Sequence, residues 1–364
     1  MSSRLHHAVE RLASSSRFPV LAFVTVVLFL LAVQLLGTAT DAAAPVLERV
    51  LYRVVVGDAS ALGLSWLAAY VLTNGSVVAA LALSLFNTGL LGASELFLMV
   101  AGSRLGAAAI VVFIGALDWV QKERYSLQKG VSMGLLAFLL THSIYVPVTV
   151  VGYLALPHLQ GALGVADRGL TVGVRPLAFF EPVTDAITAL IGPAPSFLLA
   201  VGVLFGSLKL FDRVLSTVDT ATIQRRVFSH FKRTWLSFAI GLLVTGVTTS
   251  IAFSLGVIVP LYNRGYVERE ELIPYVLGAN LGTLFDTLVV AVVLESAVGV
   301  AVVLELLAAG VAVTLAALVA HDAYSRAIAA VHDRLLEDRR AFLAFVLSLL
   351  FVPLALVALP LVVG

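Results

Sequence analysis

The sequence predicts an all-α, polytopic membrane protein made of two inverted-topology repeats, each with a re-entrant helical hairpin and a broken transmembrane helix. Three observations carry this expectation. The chain has 364 residues, 60% hydrophobic and 12% charged, with a mean hydropathy of +1.04, whereas a soluble domain is about a quarter charged. Residues 241–288 repeat residues 65–112 at a constant offset of 176 without a gap. Both copies interrupt a hydrophobic run at the same two places. Leu and Val pairs arise by chance in so apolar a chain, so the weight rests on Thr73/Thr249, Asn87/Asn263, Gly89/Gly265, Glu95/Glu271, Gly102/Gly278 and Gly106/Gly282.

In chain order, residues 1–17 carry Arg4, Arg11 and Arg17 and read as a cytoplasmic N-terminus. The apolar run 18–37, followed by Ala42, Ala43 and Ala44, admits a cleaved signal peptide or a spanning helix; its length suits a span. Shifted by 176, it falls on another apolar segment, so it reads as the retained first helix of repeat 1, residues 18–156. The stretch 61–86 is cut by Thr73, Asn74, Gly75 and Ser76. Each arm, at about 1.5 Å per residue, crosses about half of a ~30 Å hydrocarbon core, so the segment goes in and comes back. The stretch 93–118 is interrupted at 102–106, which reads as an unwound midpoint, and 131–156 is a plain span. Residues 157–195, rich in Pro and Gly and carrying Glu181 and Asp185, read as an external linker that could cover a site.

Repeat 2, residues 196–320, follows the same plan. It comprises a helix at 196–211, a charged loop at 209–234, a second hairpin at 235–261 cut by Thr248, Thr249 and Ser250, a helix at 271–295 interrupted at 278–282, and a span at 297–320. Residues 321–341 read as a cytoplasmic amphipathic segment along the membrane surface and 342–364 as an extra C-terminal helix. The basic segments test this reading, because Lys and Arg collect in short cytoplasmic loops. With two hairpins, residues 1–17, the Lys122/Arg124/Lys129 loop, the 209–233 loop and the 321–340 loop all fall on the side of the N-terminus. Three crossings per repeat then invert the second copy. The expected location is a multi-pass protein of the cell membrane.

Irregular backbone survives in hydrocarbon only where it is buried in protein or lines a wet cavity. Four breaks at similar depth therefore imply one polar site near the midplane, the arrangement of secondary transporters. Carbonyl and hydroxyl oxygens at such breaks suit an alkali cation, and free N–H groups at half-helix N-termini suit an anion.

Here a resemblance becomes specific. Residues 241–283 resemble the second core repeat of the sodium/phosphate cotransporter family, type II with its bacterial and archaeal relatives. The family's Gly-x-x-x-Thr lead-in falls on Gly241 and Thr245, its turn on Gly265, and its Gly-Ala-Asn-x-Gly-Thr break on Gly278, Ala279, Asn280, Gly282 and Thr283. Segment 202–213 is similar to the family's preceding helix. The family's Gln-Ser-Ser-Ser tips align with Thr73, Asn74, Gly75 and Ser76, and with Thr249, Ser250, Ile251 and Ala252, and neither tip keeps that signature. Where the family's first break has Asn, this chain has Arg104.

The resemblance implies Na⁺-coupled symport of inorganic phosphate or a similar small anion by alternating access. The alternative on the same fold is a Na⁺-independent transporter, or a channel for another small solute. The substrate set is Thr73, Asn74, Gly75, Ser76, Arg104, Thr249, Ser250, Asn280 and Thr283, and the cation set Thr245, Thr248, Asn280 and Asp286, with no metal beyond Na⁺. Two functional roles are open to Arg104: a tethered charge in place of a coupling cation, or direct binding of an oxyanion, which guanidinium suits. A structural role is equally open, snorkelling to the surface or pairing with Asp118 or Glu95. Asp286, four residues past Asn280, could bind a cation, relay protons or pair with Arg104.

The remaining polar residues read as structural. Glu95 and Glu271 are expected to cap helices, Asn87, Asn263, Gly89 and Gly265 to make surface turns, and His142 with Ser143 to bond between helices rather than shuttle protons. Glu295 is expected at the interface and Glu305 near or within a helix. A net charge of +1 without long charged runs gives no reason to expect nucleic acid as a partner, and without Cys there are no disulfides or thiolate sites. No H-E-x-x-H, G-x-S-x-G or paired-carboxylate signature supports an intramembrane enzyme. The partners expected are a small anion such as phosphate and the lipid bilayer. Oligomeric state is left open, a dimer being one option.

Overall fold

A computed structural model describes residues 2–121, 127–166, 177–218, 233–263 and 266–363. Lys122, Arg124, Gly265 and residues 219–232, with Arg225, Arg226 and Lys232, lie outside the described residues. So do the side chains of residues 2–17, Asp118, Lys129, Ala252 and Asn263. All regular structure within the described residues is helical: α1 Ser2–Val54, α2 Asp58–Leu72, α3 Gly75–Asn87, α4 Ala93–Gln121, α5 Leu127–Ala166, α6 Glu181–Ile191, α7 Pro193–Leu215, α8 Thr234–Thr248, α9 Ile251–Asn263, α10 Arg269–Gly282, α11 Leu284–Val293, α12 Ala297–Val319, α13 His321–Glu337 and α14 Arg339–Val363. Among the described residues seven stretches are long and apolar enough to cross a membrane: Phe18–Val54, Ala93–Ile110, Ser132–His158, Pro193–Leu215, Arg269–Val293, Ala297–Val319 and Arg339–Pro360. They coincide with the seven crossing segments expected from hydropathy. The chain is a polytopic helical membrane protein.

The repeat is visible in backbone conformation. The α2–α3 and α8–α9 pairs both turn on a threonine in the left-handed region, Thr73 at φ 48° and Thr249 at φ 51°. A β-branched residue there is strained by about 1–3 kcal/mol, and the strain occurs twice at the same repeat position. The next residue caps the following helix in both copies. Asn74 Oδ1 accepts from the backbone N–H groups of Ser76 and Val77 at 2.9 and 3.2 Å, and Ser250 Oγ accepts from that of Phe253 at 3.0 Å. Such caps satisfy the free N–H groups of a first turn. Glu95 and Glu271 also act alike, accepting from the backbone N–H of Gly92 at 2.8 Å and of Glu268 at 3.0 Å.

The expected broken helices need correction. The Gly102–Gly106 stretch is not unwound: α4 runs without interruption from Ala93 to Gln121. In the second copy only Thr283 separates α10 from α11, and its backbone is itself right-handed helical, φ −65° and ψ −17°. The glycines serve close packing instead. A Cβ on Gly102 would run into Leu62 O and Ser65 Oγ of α2, and one on Gly278 into Phe238 O of α8 and, at 2.8 Å, Leu242 N. The pairs Gly102/Gly106 and Gly278/Gly282 are thus G-x-x-x-G contact faces, letting α2 lie on α4 and α8 on α10. Unwinding would expose backbone that the hydrocarbon cannot satisfy, whereas close packing leaves every helical bond intact.

Other boundaries move as well. α7 extends to Leu215, so Lys209, Asp212 and Arg213 belong to a helix rather than to a charged loop. Residues 157–195 include the end of α5, a 3₁₀ turn at Ala178–Phe180 and α6, which rests against α1 through a Thr38–Thr184 hydroxyl contact of 3.1 Å. α1 and α7 pack along each other, α5 lies against α4 and α12, and α14 covers α2. α13 is tied down by Asp333, which accepts from Arg269 Nη1 at 3.1 Å and faces His332 Nδ1 at 3.0 Å.

Candidate functional site

The two helix–turn–helix tips meet at a cavity of about 310 Å³. Its walls come from both repeats. Thr73, Asn74, Gly75 and Ser76 line it from the first tip and Arg104 from α4; Thr249 and Ser250 line it from the second tip, and Asn280 and Thr283 from α10 and the residue after it. All nine residues of the expected substrate set are brought together, although the helices behind Arg104 and Asn280 are not unwound. Caps on the first turns of α3 and α9 hold the tips in shape, and both first turns face the cavity.

Arg104 and Asn280, separated by the repeat offset of 176, are 5% and 8% exposed. Arg104 Nη2 donates to Asp286 Oδ1 at 3.3 Å and makes a short hydrogen bond to Thr287 Oγ1. Asp286, 4% exposed, also accepts from Thr287 Oγ1 at 2.9 Å and, in a short bond, from Ser76 Oγ of the first tip. One ion pair therefore joins α4, the first tip and α11 across the two repeats. Of the pairings open to Arg104, the one with Asp286 is formed; Glu95 instead caps α4. Arg104 Nε and Asn280 Nδ2 are buried donors without a hydrogen-bond partner among the described residues. The Asn280 backbone carbonyl, by contrast, accepts from Tyr145 Oη at 3.1 Å and Thr283 Oγ1 at 2.6 Å.

Of the expected cation set, Asn280 alone is among the residues lining this cavity. Thr245 and Thr248 do not line the cavity: Thr245 Oγ1 is buried without a partner among the described residues and Thr248 Oγ1 donates to Val244 O at 2.6 Å. Asp286 faces an adjoining apolar cleft of about 190 Å³ between α1, α7, α8 and α11, which shares Leu208, Phe211 and Thr249 with the first cavity. The acid that lines the first cavity among the described residues, Asp212 of α7, was not anticipated. It accepts from Ser250 Oγ at 2.5 Å. Its signal was an acid on the last turn of an apolar helix, hidden between Lys209 and Arg213. Tyr145 and Thr141 of α5 complete the polar lining.

The remaining expected residues are structural or elsewhere. His142 Nδ1 faces Phe138 O of its own helix at 3.1 Å and the ring stacks on Phe138, so its bond is not interhelical as expected, and Nε2 is buried without a partner among the described residues. Ser143 does bond between helices, to Tyr324 Oη at 2.7 Å. Asn87 Nδ2 donates to Leu294 O at 2.7 Å, and Gly89 takes φ 74° in the turn after α3. Glu305 lies within α12, where neither carboxyl oxygen has a hydrogen-bond partner among the described residues. A second cavity, of about 490 Å³, is lined by Asp41, Asn87, Glu181, Asp185 and Glu295. Glu181 and Asp185 therefore line that cavity rather than the first.

Compared with known families, residues 203–333 match the family described as Na+/Pi-cotransporter. The match takes in most of α7, the second tip and α10 to α12, and most of α13, the half in which the sequence motifs are intact. That family is one of transporters, not of enzymes. Neither curated proteins nor solved structures returned a match to the chain.

Proposed function

We propose that this chain is a secondary transporter that carries a small oxyanion, inorganic phosphate foremost, together with Na⁺ by alternating access. The observation that carries this reading is the pair of buried donors, Arg104 Nε and Asn280 Nδ2, unpartnered among the described residues and on repeat-equivalent positions lining one cavity. A buried donor left unpaired costs about 1–3 kcal/mol, which an acceptor ligand recovers. The N-termini of α3 and α9, each carrying about half a positive charge, add attraction for an anion. A tetrahedral oxyanion supplies several acceptors at once and fits a space of about 310 Å³.

The membrane arrangement proposed is that of two inverted repeats. Helices α2, α3, α8 and α9 have 15, 13, 15 and 13 residues, about 20 Å each at 1.5 Å per residue, too short for a ~30 Å core. They read as re-entrant hairpins from opposite faces, with the N-terminus cytoplasmic and three crossings per repeat. Rocking of one repeat against the other would open the cavity to each side in turn. The Arg104–Asp286 pair crosses the boundary that such rocking shears.

Uptake of labelled phosphate into proteoliposomes, with and without an inward Na⁺ gradient, tests the reading. Accumulation that requires the gradient is expected, and Arg104→Gln and Asn280→Ala are each expected to lower uptake at least about tenfold through lost donors. The second reading, Na⁺-independent transport or a channel, draws on Arg104 itself: a fixed cation already neutralises Asp286. Phosphate uptake that ignores the gradient would decide for it.

A further inference from the structure

We infer that the coupling Na⁺ binds beneath the second tip, at the Asp212 carboxylate with the Ser250 and Thr249 hydroxyls and the carbonyl end of α8. This rests on the transport reading for its role in the cycle, but the site stands on its own geometry. Two carboxylates approach the centre of the protein, and they differ in compensation. Asp286 is paired with Arg104 and receives hydrogen bonds from Ser76 and Thr287. Asp212 receives only the Ser250 hydroxyl and makes no ion pair among the described residues. Lys209, one turn earlier, is exposed with its ammonium 5.2 Å from the Phe205 ring centre. Apart from the Ser250 hydroxyl, Asp212 feels among the described residues only the Lys209 charge, across a distance too long for an ion pair. A carboxylate so weakly compensated, lining a site for an anion, repels that anion, and a bound cation removes the conflict.

The oxygens available define the class of cation. α8 ends at Thr248, and the carbonyls of its last turn have no intrahelical donor and form the negative end of the helix dipole. Thr249 Oγ1 lines the cavity and makes no hydrogen bond among the described residues. One carboxylate among neutral oxygens suits a hard monovalent cation rather than a divalent one. Among the described residues no group of three or more acidic, His or Cys side chains could hold a metal ion.

Repeat 1 has no counterpart. The position equivalent to Asp212 is Leu36, fully buried, and the fixed charge of Arg104 stands where repeat 2 has Asn280. The molecule therefore carries one tethered cation and one place for a mobile one.

The test is Na⁺-dependent thermal stability of the purified protein in detergent. NaCl is exchanged for N-methylglucamine chloride at constant ionic strength and pH 7.5, without phosphate. At about ten times the dissociation constant, Na⁺ is expected to raise the wild-type midpoint by about 2 °C. Asp212→Asn should abolish the rise, and Ser250→Ala should move half-saturation to about tenfold higher Na⁺. If Asp212→Asn fails to elute as a monodisperse species, Ser250→Ala decides alone. A wild-type protein that ignores Na⁺, an Asp212→Asn protein that keeps the full response, or a Ser250→Ala protein with unchanged half-saturation overturns the site. Phosphate uptake measured alongside separates the two ideas. Na⁺-driven uptake that survives Asp212→Asn sinks the site and leaves the transport reading, whereas a Na⁺ response lost in Asp212→Asn without any phosphate uptake sinks the substrate and leaves the site.

Discussion

Replacing Asp286 by Asn leaves the Arg104 guanidinium, 5% exposed, without an ion-pair partner among the described residues. Removing one partner of a buried ion pair costs about 3–5 kcal/mol, most of it the penalty of the charge left behind. The environment here supports that range, since Asp286 Oδ1 receives Arg104 and Thr287 while the Ser76 hydroxyl is anchored on the same carboxylate. At about 2 °C per kcal/mol for a large domain, the thermal midpoint should fall by about 6–10 °C. Arg104→Gln should cost a similar amount, because it strands the carboxylate instead. The double variant Arg104→Gln/Asp286→Asn removes both charges, and an amide–amide contact can replace the pair. It should recover at least half of the summed loss of the two single variants, a coupling of at least about 3 kcal/mol in a double-mutant cycle. Thermal unfolding of the four proteins in detergent, followed by intrinsic fluorescence at pH 7.5, measures this directly. Single variants that each shift the midpoint by less than about 1 °C, or effects that simply add in the double variant, would refute a buried, mutually dependent pair.

Two further outcomes follow from packing and charge. Gly278→Ala places a methyl against Phe238 O and Leu242 N, both backbone atoms that cannot step aside, and should lower stability by about 2–4 kcal/mol. Gly202→Ala on α7, where nothing lies within 4 Å of the added carbon, should instead be neutral or up to about 1 kcal/mol stabilising through helix propensity; equal midpoints for the two variants would remove the close-contact role of Gly278. The His332 ring and the Arg269 guanidinium hold the Asp333 carboxyl below its ordinary value of 3.8. A depressed folded value means that its contribution is fully present above the unfolded value and is lost as pH falls through the folded one. Asp333→Asn should therefore lower the thermal midpoint at pH 6, and the gap to wild type should close below about pH 4; a gap that persists unchanged at pH 3 would contradict the ion pair.

Much of the fold was legible because it depends on contiguous residues. Seven apolar stretches of spanning length, separated by short charged or turn-forming segments, follow from hydropathy alone. The tips at Thr73 and Thr249 and their caps Asn74 and Ser250 were marked by polar residues interrupting apolar runs, and the offset of 176 tied them together. Local chemistry did not identify what the glycines were for. Both unwinding and close packing demand the absence of Cβ, and the choice at Gly102 and Gly278 depends on which helix arrives opposite, α2 or α8. Asp212 was missed for a related reason. Flanked by Lys209 and Arg213, it reads as part of a solvated loop, until the continued turn of α7 directs it at Ser250, 38 residues away.

By itself the sequence determined the class, the duplication, the spans and the residues at the two tips, since apolar length, turn chemistry and self-similarity are properties of neighbouring residues. The tertiary structure alone decided which charges meet. Arg104 had three acids open to it, and its partner lies 182 residues away on the other repeat. A Coulomb interaction depends on distance and on burial, and neither exists until α4, the first tip and α11 have packed together.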